Sequence, residues 1–145
     1  MGLKAIQTEK YTIRLAHGDH DHEVSRVDII AVQAAVNHGM GRLKLDGHLF
    51  VTIIPGTSIQ DGPEPEDHVF GLYHQGLQHI AVAGICPEDW PTGEDWIDSL
   101  KITVLHEMVH YWQELNGKLD GTEENETEAE KLAMELLERM PKWAK

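Results

Sequence analysis

Three residues in the last third of the chain could form a metal site with a base beside it. His106, Glu107 and His110 form the pattern HExxH. Two histidines four residues apart on a helix are about 6 Å apart along its axis and lie on nearly the same side, so both imidazoles can reach one metal ion. The glutamate is rotated off that side by about 100°, which lets its carboxylate approach a metal-activated water without becoming a ligand. The pattern therefore predicts a zinc site with Glu107 as general base.

The residues around the motif predict the helix that this geometry requires. No proline interrupts the segment, and Asn116 and Gly117 are typical of a helix C-terminus. Asp95 or Asp98 is expected to cap the start. The apolar residues that recur at helical spacing are Leu100, Val104, Leu105, Met108, Val109 and Trp112.

A catalytic zinc ion needs a third protein ligand and an open fourth position for water. The chain has no histidine and no cysteine after His110, so a ligand from this part must be a carboxylate. Glu114 lies on the same helix, and three ligands spread along one helix would span about 12 Å, too far for one ion. Asp120, in the turn after the helix, and the glutamates of the last helix remain as candidates.

The last helix is expected to start with Asn125 as cap and Glu128 completing a capping box. Glu126 and Glu130 border its apolar stripe, which favours Glu126 as third ligand and Glu130 as a partner for a ligand histidine or an alternative ligand. The glutamates that fit better as solvated acids near the helix N-terminus are Glu123, Glu124 and Glu128. The stripe consists of Ala129, Leu132, Ala133, Leu136, Leu137 and Met140.

The combination of HExxH with Glu126 and Glu130 resembles the gluzincin metallopeptidases of the zincin class. These enzymes join HExxH to a glutamate on a following helix, often as ExxxD, and glutamate stands here where aspartate is frequent. Residues 126–141 are also similar, more weakly, to the corresponding segment of ImmA/IrrE-type peptidases. The resemblance implies a zinc peptidase with an α+β, minimal zincin-like fold: a small mixed sheet, a backing helix, the HExxH helix and a C-terminal helix.

The order of predicted elements fits that plan. Alternating residues predict a first strand at 11–16, and helical spacing predicts a helix at 24–36 that stops at residues 38–41. A strand at 48–54 and an exposed proline-rich loop at 61–67 follow. Residues 69–74 and 79–83 predict a hairpin, with its turn at 75–78. In zincins an edge strand lies over the zinc cleft and pairs with an extended substrate, and residues 69–73 are the favoured candidate.

Length and charge restrict the remaining function classes. A chain of 145 residues, 41% of them hydrophobic, predicts one domain over residues 1–145. The 12 basic and 25 acidic residues give a net charge of −13, which argues against binding nucleic acid or an anionic membrane. The absence of a signal peptide or an apolar stretch of about 20 residues, and the single cysteine, predict a cytoplasmic protein. The expected partner is a peptide or protein substrate.

Several other groups of residues have both a functional and an ordinary structural interpretation. Residues 17–22 contain three histidines and two aspartates, which could bind a second metal or form a surface loop with helix caps. Cys86 could be a zinc ligand in a latent state or a buried thiol. Trp90 and Trp96 could line a specificity pocket or cover the core. Candidate donors to a developing oxyanion are Tyr73, His74, His79 and Tyr111.

Two further functions compete with a hydrolase. In a non-catalytic zinc-stabilised regulatory or binding module, the ion would contribute only folding energy and Glu107 would be replaceable. A metal-free interaction protein would contain no zinc after purification.

Overall fold

The structure is a computed structural model that describes residues 5–16 and 24–140. Within those ranges the chain forms seven strands and three helices. The strands are β1 (Ala5–Gln7), β2 (Tyr11–Leu15), β3 (Leu49–Ile54), β4 (Ile59–Gln60), β5 (His68–Val69), β6 (Gly71–His74) and β7 (His79–Ala83). The helices are α1 (Arg26–Arg42), α2 (Gly93–Leu115) and α3 (Glu123–Glu138).

Five strands form one mixed sheet in the order β1-β2-β3-β7-β6. The three central strands are parallel, and the outer strands β1 and β6 are each antiparallel to their neighbour. Strands β4 and β5 form a separate two-stranded ribbon, and residues 61–67 connect its two strands. Strand β6 is therefore an edge strand of the described sheet, directly after the ribbon.

The helices cover one face of the sheet. Helix α2 contacts α1, α3 and the strands β6 and β7, so it lies at the centre of the packing. Apolar residues alternate along the central strands, as expected for a sheet with one face on the core. Those buried on this face are Tyr11, Ile13, Leu49, Val51, Ile53, Ile80 and Val82. The expected small mixed sheet, preceding helix, motif helix and closing helix are confirmed.

Helix α1 continues past the residues expected to end it. It extends to Arg42, through Gly39, which is buried. A Cβ atom at position 39 would lie 2.7 Å from the side chain of Met108 on α2. The glycine therefore allows two helices to approach closely, and its role is packing rather than termination.

Both later helices also start earlier than expected, because threonine caps them. The Thr92 side chain accepts a hydrogen bond from the Asp95 N–H, at 3.0 Å, and begins α2. Thr122 plays the same part for α3, where its hydroxyl accepts from the Asn125 N–H at 3.4 Å. The expected caps Asp95, Asp98 and Asn125 are thus wrong: all three lie inside the helices.

Residues 17–22, with their three histidines, lie outside the part of the chain that the structure describes. Among the described residues, no helix is long and apolar enough to cross a bilayer.

Candidate metal centre

The motif residues occupy the side of α2 that borders the core. Leu105, Met108 and Val109 are fully buried and fix the rotation of the helix. His106 and His110, four residues apart, therefore emerge together, with their ring centroids 4.9 Å apart. His110 is only 7% exposed, and His106 is partly exposed. The expected pairing of the two imidazoles on one side of a helix is confirmed.

Helix α3 brings a carboxylate to both imidazoles. Glu126 Oε2 lies 3.0 Å from His106 Nε2, and Glu126 Oε1 lies 2.9 Å from His110 Nε2. One ligand atom from each of these three residues lies within 4.8 Å of the others. The Glu126 side chain is more than half exposed, so the three donors converge at the surface of the protein. Two imidazole nitrogens and one carboxylate oxygen are close enough together to hold a metal ion.

A buried glutamine fixes the proton on His110. Gln113 is fully buried, and its amide nitrogen donates to the Asn125 carbonyl at 3.0 Å and to Glu128 Oε1 at 2.9 Å. Both of those partners are acceptors, so the amide oxygen of Gln113 must be the atom that faces His110 Nδ1, 2.8 Å away. His110 therefore donates from Nδ1, and its Nε2 has a lone pair when the ring is neutral.

The lone pair on His110 Nε2 faces the Glu126 carboxylate, which is also a hydrogen-bond acceptor. Nε2 of a neutral His110 and the Glu126 carboxylate oxygen, 2.9 Å apart, would repel each other with nothing between them. The contact is favourable only with a second proton on the ring or with a cation shared by both atoms. Burial is the largest cause of a lowered pKa at His106, followed by its neighbour His110, and this favours the neutral ring that metals bind. The donor set is that of a His2Glu metal site.

Glu107 is buried beside these donors. It is 8% exposed, and burial raises the pKa of its carboxyl to about 8, with the nearby charge of Glu126 as a second cause. A bound cation would oppose that rise. Glu107 faces strand β6, where a Cβ atom at Gly71 would lie 2.6 Å from the Thr103 methyl carbon and 3.3 Å from Glu107 Oε2. The glycine thus lets the edge strand lie directly over the carboxylate.

A cleft of about 580 Å³ contains the site. Strand β6 forms one wall, and the segment from Leu119 to Glu126 contributes to the other. Apolar side chains occur along it, including Phe70, which is 45% exposed and packs edge-on against Trp90. The lining is formed by Asp61, Val69, Phe70, Gly71, Leu72, Tyr73, Gln75, Ile102, Thr103, His106, Glu107, His110, Leu119, Gly121 and Glu126. The described lining contains three carboxylates and neither lysine nor arginine.

Comparison with protein-family models, curated proteins and solved structures gave no match to this chain. The similarity to gluzincins thus depends on HExxH and on the glutamate of the next helix.

The other candidate ligands lie outside the cluster. Glu130 is exposed on α3, and its charge is a minor cause that raises the pKa of His106. Glu130 was expected to accept a hydrogen bond from a ligand histidine, but Gln113 accepts the one from His110. The Asp120 carboxylate instead accepts from the Thr122 hydroxyl at 2.7 Å. Cys86 is half-buried, and its thiol lies 3.5 Å from the Pro87 carbonyl.

The expected oxyanion donors all have structural partners. The Tyr73 hydroxyl donates to Glu114 at 2.6 Å, and the Tyr111 hydroxyl donates to the Asp46 carbonyl at 2.9 Å. Nδ1 of His74 and Nδ1 of His79 lie 2.7 Å apart, and their rings are stacked. Each of the four groups is thus already engaged. Trp96 is buried in the core and Trp90 packs against it, so the cleft lining includes Phe70 rather than either tryptophan.

The sequence does not predict the role of Gln113, and it predicts Asn125 only as a helix cap. Asn125, next to Glu126, is buried, and its side-chain oxygen accepts from the Asp120 and Gly121 N–H groups at 2.8 and 3.1 Å. It thereby orders the turn that leads into α3. Gln113 then attaches α3 to α2, the helix of the two histidines. Both are buried amides on helices, a weak signal in sequence, and only the packing of α2 on α3 gives them partners.

We expect Gln113→Leu to weaken zinc binding by roughly 10–100-fold, the usual effect of removing a residue that orients a ligand histidine. The change leaves all three ligands in place but removes the acceptor that holds the proton of His110 on Nδ1. A competition titration with a chromogenic chelator measures the zinc Kd. Unfolding of the metal-free variant serves as control: a variant that is merely less stable, with an unchanged zinc Kd, would contradict the positioning role.

Proposed function

We propose that the protein is a zinc-dependent metallopeptidase of the zincin type, with His106, His110 and Glu126 as zinc ligands and Glu107 as general base. The observation that carries the proposal is the convergence of three ligand atoms within 4.8 Å beside a buried glutamate, in the lining of a cleft. Three protein ligands from a His2Glu set leave a coordination position for water, which is the arrangement of a hydrolytic rather than a purely structural zinc site.

The chain's own residues would divide the chemistry between them. A bound zinc ion supplies a Lewis acid and lowers the pKa of water. Glu107 accepts a proton as the water oxygen adds to the carbonyl carbon of the scissile peptide bond. It returns that proton to the amine nitrogen as the C–N bond breaks. Gln113 keeps His110 in the tautomer with Nε2 available.

The edge strand offers a binding surface for an extended peptide. The Ala83 N–H donates to the Phe70 carbonyl at 2.9 Å, which makes that pair a hydrogen-bonded pair of the antiparallel ladder. With the observed register, Gly71 and Tyr73 then occupy non-hydrogen-bonded positions opposite Val82 and Ile80. Their N–H and C=O groups point away from β7 and can pair with a substrate main chain beside the metal ligands.

The cleft favours some peptides over others. Without lysine or arginine in its described lining, and with a net charge of −13 on the chain, it offers no counter-ion to an acidic segment. Phe70, Ile102 and Leu119 offer apolar contacts. The substrate class we propose is therefore an extended, apolar segment without acidic side chains near the cleaved bond.

Metal analysis combined with a peptide-library digest tests the proposal. We expect stoichiometric zinc, hydrolysis that a chelator stops and added Zn²⁺ restores, and a fold stabilised by about 2.7 kcal/mol when free zinc is 100 times its Kd. Zinc-dependent stabilisation without hydrolysis of any library member or unfolded protein would favour the non-catalytic module. A protein that takes up no zinc would contradict both functions.

A further inference from the structure

Strand β6 is attached to the metal-bearing helix at both ends. At its start, Gly71 lies against Thr103, so closely that a Cβ atom would be 2.6 Å from the threonine methyl carbon. At its far end, Glu114 of α2 accepts two hydrogen bonds from the hairpin. The Tyr73 hydroxyl donates to one carboxylate oxygen and the Gly76 N–H donates to the other, each at 2.6 Å.

The bonds at the far end are of the strong, charge-assisted kind. Burial raises the pKa of Tyr73, and the Glu114 carboxylate raises it further, so the hydroxyl keeps the proton that it donates. Glu114 lies one helical turn after His110. The position of β6 is thus fixed relative to the metal ligands through the same rigid helix.

We propose that Glu114 is a positioning residue that fixes the position of β6 relative to the metal ligands and thereby determines how tightly an extended substrate binds. This inference rests on the proposed peptidase function. Glu114 itself is not part of the described cleft lining and acts through the strand. A substrate whose main chain paired with Gly71 and Tyr73 would be held by the strand, so the strength of that pairing would depend on how firmly the strand is held.

The role of the strand also determines which kinetic constant should change. Loosening β6 removes main-chain pairing that is made equally in the bound substrate and in the transition state. The loss of such uniform binding raises KM and leaves kcat unchanged. Zinc binding should be unaffected, since the Glu114 carboxylate accepts its hydrogen bonds from the hairpin and not from any of the three ligand side chains.

Glu114→Gln is the decisive variant, because glutamine keeps the size of the side chain but has one acceptor oxygen for two donors. Glu114→Ala removes both bonds, and Glu138→Gln, at an exposed position of α3, is the matched control. Three quantities are measured on the zinc-loaded proteins: zinc content, hydrogen exchange at the β6 and hairpin amides of Leu72, His74 and Gly76, and kcat and KM for one peptide that the wild type cleaves.

We expect faster exchange at the three amides and a KM raised roughly 10-fold in Glu114→Gln, the effect of losing about one hydrogen bond, with kcat and zinc content as in the wild type. Glu114→Ala should show the same changes to a greater extent, and Glu138→Gln should show none. Unchanged exchange would overturn the attachment. Faster exchange with an unchanged KM, or a fall in kcat together with zinc loss, would overturn the positioning role. If the wild type cleaves no peptide, the peptidase proposal fails, whereas the exchange data still decide whether Glu114 holds the strand.

Discussion

Replacement of Glu107 by glutamine is expected to lower kcat by about 10³-fold, the range in which a positioned general base contributes. Glutamine has the shape of the native side chain but cannot accept the proton of the attacking water. Because Glu107 is 8% exposed and glutamine carries no charge into that buried site, the variant should fold at least as well as the wild type. The rate constants for a peptide that the wild type cleaves measure the effect.

A measurement of zinc binding distinguishes the loss of the general base from a general disturbance of the site. Glu107 is rotated off the side of α2 that holds the two histidines, so Glu107→Gln should keep the wild-type zinc Kd. Glu124→Gln, at an exposed position on α3, is the control for the substitution itself. Hydrolysis at the wild-type rate by a zinc-loaded Glu107→Gln protein would show that another group is the base.

Removal of the third ligand should have the second large effect. We expect Glu126→Ala to weaken zinc binding by more than about 100-fold, beyond the range seen when only a supporting residue is lost, and to abolish hydrolysis. The metal-free protein should be little affected. The Glu126 side chain is 58% exposed, and ion pairs at such positions typically contribute less than about 1 kcal/mol to the free energy of unfolding.

Glu130→Ala is the matched comparison, because it removes the same side chain one turn further along α3. Its contribution in the structure is a charge near His106 rather than a contact within the cluster. Its zinc Kd should therefore stay close to that of the wild type. Zinc binding that survives Glu126→Ala but is lost in Glu130→Ala would exchange the roles of the two residues. Isothermal titration with Zn²⁺ on the metal-free variants provides both values.

Local patterns in the sequence were sufficient to predict the motif helix and its glutamate partner. The apolar spacing from Leu100 to Trp112 determines which side of α2 packs inward, and HExxH then places both histidines on one side. The apolar stripe of α3 likewise leaves Glu126 at its border. Spacing along one helix decides these features, so a single sequence contains the information.

Features that depend on contacts between distant residues could not be predicted in this way. The three-residue strand β1 is too short for a periodic signal, and the order of strands in the sheet is not a local property. Glycine is typical of a helix C-terminus, but the role of Gly39 depends on its close approach to Met108, which lies on another helix. The role of Glu114 is likewise hidden in the sequence, because its partners Tyr73 and Gly76 are some 40 residues away in the chain.

The order of the functional parts along the chain has a consequence for biosynthesis. The edge strand and both histidines precede Glu126, which the ribosome adds after them and which reaches the histidines only when α3 packs on α2. Nascent chains emerge and fold from the N-terminus. A growing polypeptide would thus lack the complete set of proposed zinc ligands until its sheet had been synthesised. Under the proposed function, hydrolysis could therefore begin only once α3 has packed on α2.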